Sequence, residues 1–201
     1  MKSILPTLIA MLLTFSSVAQ MVEVKFKEAS FANGMVYPLV VIAAHKSLED
    51  SINADILRRI SDLEASDFCI GQYGYVQKST HLQIHLFCNC IDFEESENRY
   101  FLYNLEEGRA VPYSDLLNPK ERTAAGEFLA GKMKAFAVQQ NLTLSDEDVL
   151  KIQEHNLNAM KVEMTKDGLR MWLLGLEGWT ADKACTVSWI EMKPFLKYNF
   201  M

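Results

Sequence analysis

His81-Leu82-Gln83-Ile84-His85-Leu86-Phe87-Cys88-Asn89-Cys90 alternates without a break, and the pattern runs on to Phe93. Successive side chains of a strand point to opposite faces. Leu82, Ile84, Leu86, Cys88 and Cys90 therefore share a buried face, while His81, Gln83, His85, Phe87 and Asn89 share the other. Upstream, Phe68 to Gln77 reads as a strand, joined to this one by the turn cluster Lys78-Ser79-Thr80. Downstream, Arg99 to Leu105 is a third strand, closed by Glu106-Glu107-Gly108. Three such runs separated by turn signals make an antiparallel meander. The acidic stretch 92–98 between the second and third strands reads as a solvated hairpin end.

The flanking sequence adds strands and helices in blocks. Val22 to Lys27 alternates, Asn33-Gly34 is a turn signal, and Val36 to Ala43 is a β-branched strand with Pro38 near its start. Ser47-Leu48-Glu49-Asp50 has the form of a helix N-terminus, with Ile52, Ile56, Leu57, Ile60 and Leu63 following at helical spacing, so a helix is expected over 48–63. Past a short helical turn at Ser114, Pro119 to Gln140 is a longer helix, and Ser145-Asp146-Glu147-Asp148 caps another. Met160 to Thr165 and Leu169 to Leu176 flank the hairpin signal Lys166-Asp167-Gly168. Thr186 to Ile190 is the last strand, carrying Trp189, and Glu191 to Lys197 a terminal helix. The order β-β-α-βββ-αα-βββ-α segregates helices from antiparallel strands, which is the α+β class in a single domain.

Residues 1–19 read as a secretory signal peptide. Lys2 is followed by the apolar run Ile4 to Phe15, and Ser17 and Ala19 occupy the small-residue positions before a cleavage point. The run is shorter than the ~20 apolar residues a spanning helix needs. The expected mature chain, 20–201, thus works in the periplasm or outside the cell without a membrane anchor. It carries 19 Lys and Arg against 26 Asp and Glu, a net charge of −7. That acidity repels phosphate backbones and excludes nucleic acid as a partner, while favouring a basic protein.

The chemistry-bearing residues are few. Cys69, Cys88, Cys90 and Cys185 make an even count in an exported chain, so disulfides are expected. Cys69 lies across the first turn from 88–90 and can pair with Cys88 or Cys90, leaving Cys185 to take the other or stay free. Buried, reduced cysteines are the competing reading. His81 and His85 beside Cys88 and Cys90 have zinc-ligand character. On a strand, however, the two histidines sit ~13 Å apart and the cysteines point to the other face. Two surface-facing histidines are expected, and no metal or cofactor. There is no Gly-x-Ser-x-Gly elbow and no phosphate-cradling loop, so no catalytic residue is assigned. Among the aromatic residues, Trp172 and Trp189 are expected in the core. Trp179 falls in the loop Glu177-Gly178-Trp179-Thr180-Ala181-Asp182.

Two stretches resemble a known family. Tyr100-Phe101-Leu102-Tyr103-Asn104-Leu105-Glu106-Glu107-Gly108-Arg109, followed by Asp115-Leu116-Leu117, is similar to the F-D-L-x-T-G-K…L-x-D-L-F signature of RsiV-like ectodomains. Thr165-Lys166-Asp167-Gly168-Leu169, then Val187-Ser188-Trp189-Ile190-Glu191-Met192-Lys193-Pro194-Phe195-Leu196, is similar to that family's close. Ile52-Asn53-Ala54-Asp55-Ile56 resembles its I-N-x-x-I helix. Asn104 and Glu107 depart from the family's usual Asp and Thr. The family includes the extracytoplasmic part of lysozyme-binding anti-sigma factors and a module beside some peptidoglycan deacetylases. The resemblance implies an exported, non-enzymatic binding protein of the cell envelope, with lysozyme or a cell-wall glycan as ligand. The competing readings are a cell-wall glycan-processing enzyme and a structural envelope protein. A binding surface is expected at loop 177–183, with Trp179 and Asp182, and at hairpin end 92–98, with Glu94 and Glu95.

Overall fold

A computed structural model of the chain describes residues 22–93, 96–173 and 183–200. The expected signal peptide lies outside the described residues. Four helices and three antiparallel sheets make an α+β fold. Strands β1 (Lys25–Ser30) and β2 (Val36–Val41) form a ribbon, followed by helix α1 (Lys46–Ile60). Strands β3 (Cys69–Lys78), β4 (His81–Cys90), β5 (Glu97–Asn104) and β6 (Arg109–Ala110) form the meander, in that order. Helices α2 (Arg122–Gln140) and α3 (Asp146–His155) follow, then the sheet β7 (Lys161–Met164), β8 (Gly168–Trp172) and β9 (Cys185–Ser188). Helix α4 (Trp189–Met192) comes last. The strands thus divide among three sheets, where the alternation alone suggested one.

The meander is the wall between two cores. On one face of β4, Leu82, Ile84, Leu86, Cys88 and Cys90 are buried against Ile52, Ile56 and Ile60 of α1 and against Met35, Val40 and Ile42 of the ribbon segment. On the other face, Leu102 packs with Leu129 and Met133 of α2, Met164 of β7 and Trp189 of α4. Coverage of this second face fades along β4. His81 and Gln83 are fully buried, His85 and Phe87 half-buried, and Asn89 exposed. His81 is therefore a core residue, contrary to the surface position its alternation implied. Its ring lies 4.6 Å from that of Tyr198, with Phe200 beyond, so the C-terminal segment covers what the strand pattern left open.

Short polar side chains fix how the elements meet. Asn53 of α1 accepts a hydrogen bond from the Val40 N–H and donates one to the Val40 carbonyl, both 2.8 Å, docking the helix on the edge of β2. Helix α1 starts at Lys46, one residue before the expected Ser47 cap, and no side chain caps it. Glu49 instead accepts from the Ile42 N–H at 2.8 Å, tying the helix start to the end of β2. Asn104 accepts from the N–H groups of Glu106 and Glu107, which holds the β5–β6 hairpin. Ser145 caps α3 in a reciprocal box with Asp148. Ser188 does the same for α4 with Glu191, so the last strand stops at Ser188 and Trp189 opens a helix instead of continuing the strand. Trp189 remains in the core, its indole N–H donating to the Thr165 carbonyl. Helices α2 and α3 touch at Gly126, where a Cβ would lie 2.3 Å from the Gln153 carbonyl oxygen; no larger residue fits.

Gln83 couples the meander to the second layer. Its Oε1 accepts from the Tyr113 hydroxyl at 2.7 Å and from the Met164 N–H at 2.6 Å, inside the core. Replacing it by Leu leaves both donors unsatisfied, at about 1–3 kcal/mol each. Gln83→Leu is expected to lower unfolding free energy by ~2–4 kcal/mol in denaturant titration, whereas Gln77→Leu, at the half-buried rim of β3, should cost less than half of that.

Candidate functional site

Where the second layer stops covering the sheet, a cleft of about 750 Å³ opens. Glu97, Asn98 and Tyr100 of β5 form one wall, and Lys161 and Val162 of β7 another. Asp148 and Lys151 of α3, Asn158 to Met160, Tyr113 and Leu173 complete it. The size falls in the range of small-molecule sites, and the lining mixes apolar and polar side chains in about equal measure.

Strand register builds its floor. Tyr100 lies opposite His85 on the half-covered face, and Asn98 opposite Phe87. The rings of His85 and Tyr100 stack at 4.4 Å and 6°. His85 Nε2 donates to Asn98 Oδ1 at 2.8 Å, which leaves the amide nitrogen of Asn98 as a donor. Tyr100 also meets Trp172 edge-on at 5.8 Å. Lys161 Nζ sits 5.2 Å from the centre of the Tyr100 ring and 5.7 Å from that of Trp172, held by the π faces. Burial pushes the Lys161 ammonium below its ordinary pKa and raises Tyr100 to about 12, so this phenol stays neutral. The acids nearby are already engaged. Glu97 pairs with Arg99 at 2.7 Å, and Asp62 on the other side holds the same guanidinium at 2.6 Å. Glu163 pairs with Arg170 at 2.8 Å.

The expected binding residues Trp179, Asp182, Glu94 and Glu95 lie outside the described residues. Glu97, Asn98 and Leu173, which flank those two stretches in sequence, line the cleft together. Cys69 and Cys90 face each other across β3 and β4, with Cα atoms 4.1 Å apart, and are joined in a disulfide. Cys88 and Cys185 are buried thiols in separate cores. Burial raises both, Cys185 to about 11, so neither is a thiolate at neutral pH. Among the described residues, no three His, Cys, Asp or Glu side chains converge as a metal site would require. No described helix is long and apolar enough to cross a membrane. The cleft residues Lys161, Asn98 and Met160 were not singled out from sequence as a site. The sequence signal that could have found it is a lysine between two aromatic strand positions, and those positions meet only through sheet pairing.

No family model matches the sequence, and no curated protein matches it either. Among solved structures, a DUF3298 family protein from Pseudomonas aeruginosa PAO1 superposes with a TM-score of 0.51 at 11% identity, over 89% of this chain and 95% of that one. A member of the same family from Bacteroides fragilis NCTC 9343 has a TM-score of 0.45 at 12% identity, over 88% and 92%. The first likeness is one of fold: the α+β arrangement described above is shared with that protein along nearly its whole length.

His81 has a consequence for acid stability. Burial depresses its pKa from 6.5 to about 4, against the opposing pull of Asp115 and Glu107 and with the help of Lys197. Among the described residues, its Nε2 has no hydrogen-bond partner. The unfolded chain protonates this ring below pH 6.5 while the folded chain does not until about pH 4. Stability contributed by the neutral ring is therefore complete above pH 6.5 and is lost as pH falls towards 4. Between pH 6.5 and 5, urea titrations should give the wild type a loss roughly 2 kcal/mol greater than that of His81→Phe.

Proposed function

We propose that this chain is an exported, non-catalytic binding protein of the cell envelope, related to the RsiV-like ectodomains, and that its ligand occupies the cleft between β5, β7 and α3. The carrying observation is the cleft itself: about 750 Å³, with an aromatic floor and walls that mix apolar and polar side chains, at the half-covered end of the central sheet. Export rests on the signal-like residues 1–19, and the envelope setting rests on the motif resemblance. Binding is favoured over catalysis because the acids and phenols of the cleft, and Lys151, are committed to structure or held neutral. Asp148 closes a capping box, Lys151 pairs with Glu147, Glu97 pairs with Arg99, and the phenols are held neutral. A soluble cell-wall fragment suits a cleft of this volume. Lysozyme is the second reading, favoured by the net charge of −7 on the mature chain, which would steer a strongly basic protein.

Calorimetric titration of residues 20–201 with soluble peptidoglycan fragments and, separately, with a C-type lysozyme tests both. Wall-fragment binding in the micromolar range is expected, weakened about tenfold by Tyr100→Leu, a loss of ~1.4 kcal/mol. Lysozyme binding indifferent to Tyr100→Leu would move the ligand off the cleft. No heat with either, at two temperatures, would end the proposal.

A further inference from the structure

We infer that the cleft recognises a carboxylate, paired with the Lys161 ammonium. This rests on the proposed reading of the cleft as the binding site, and it names the chemistry of the group bound there.

Lys161 is half-buried, and its Nζ lies between the rings of Tyr100 and Trp172. Among the described residues, no carboxylate lies within ion-pair distance of it, although the chain is acidic. Glu97 and Glu163, the acids that raise its pKa, are held by Arg99 and Arg170 respectively. Lys151, the other cation of the cleft, pairs with Glu147 at 2.8 Å. A partly desolvated ammonium without a counter-ion is unfavourable, and a cation–π contact compensates only part of that. Burial lowers the pKa of Lys161, and the more distant Glu97 and Glu163 offset that only in part.

A second group points the same way. The Oδ1 of Asn98 is taken by His85, so its amide N–H bonds are offered to the cleft without a partner among the described residues. An ammonium and an amide donor on one site suit a single negative charge spread over two oxygens. They do not suit a doubly charged phosphate, because the carboxylates of Glu97 and Asp148 also line the site. The apolar surface of Met160, Val162 and Leu173 then takes the uncharged part of the ligand.

In a muramoyl peptide the lactyl carboxyl of the sugar is consumed in the amide bond to the stem, so the carboxylate read there belongs to the peptide, and free N-acetylmuramic acid probes a bare sugar acid. The test is calorimetry on residues 20–201 with four probes: a muramoyl peptide, its carboxamide derivative, N-acetylmuramic acid, and the free stem peptide. The wild type should bind the muramoyl peptide at least tenfold tighter than its carboxamide. Lys161→Met and Lys161→Gln should erase that preference with the melting temperature kept, and Lys161→Arg should retain it. Whichever of the two smaller probes keeps a Lys161-dependent affinity identifies the source of the carboxylate. Equal affinity of acid and carboxamide for the wild type, or a preference surviving in both neutral variants, overturns the inference while leaving wall-fragment binding intact. Failure of all four probes overturns the reading of the cleft and the inference with it.

Discussion

Burial of β4 on both faces is the constraint on which the rest of the molecule depends. A strand in an antiparallel sheet commonly keeps one face for water. Here the apolar face is filled by α1 and the β1–β2 ribbon, and the first half of the polar face is filled by the α2–β9 layer and the C-terminal segment. Each polar side chain on that second face must then find a partner inside the core or stay uncharged. Gln83 meets the requirement with two hydrogen bonds to the second layer. His81 meets it by remaining neutral, wedged between a strand and the aromatic residues of the chain end.

The residues that carry the family-like motifs act structurally. Asn53 fastens α1 to β2, Asn104 folds the β5–β6 hairpin, Ser188 and Glu191 start α4, and Trp189 fills the core beneath it. Each is a short polar group satisfying backbone atoms at an element boundary, where the regular hydrogen-bond ladder ends. That is why a motif of this kind reports on fold more directly than on ligand. The departure at Asn104 is physically mild, since its amide oxygen accepts the two turn N–H groups as a carboxylate would, and its amide nitrogen adds a bond to Glu107.

The proposed site sits where this packing runs out. The second layer covers His81 and Gln83 but only half-covers His85, and the cleft opens at that transition. Beyond it, Phe68, Ile70 and Ile91 stay exposed at the same end of the β3–β4 hairpin. The disulfide between Cys69 and Cys90 ties the two strands at that less-covered end, where fewer apolar contacts hold them. Among the described residues, a sheet end beside an incomplete second layer gives a concave, partly apolar surface.

The sequence by itself determined the order of the elements, the meander, the Ser145 helix cap and the apolar face of β4, because these rest on period, turn residues and local hydrogen bonds. Asn53, Asn104 and Ser188 were visible as motif residues, though what they bond was not. Only the tertiary structure decided that the strands separate into three sheets, that the histidine face of β4 is half core, and that Trp189 begins a helix. It also brought Tyr100, Trp172 and Lys161 together from β5, β8 and β7. Alternation records which side chains share a face but not what is later packed against that face. A layer contributed by residues 113–200 turned His81 from a surface position into a buried one and left the cleft at its own edge.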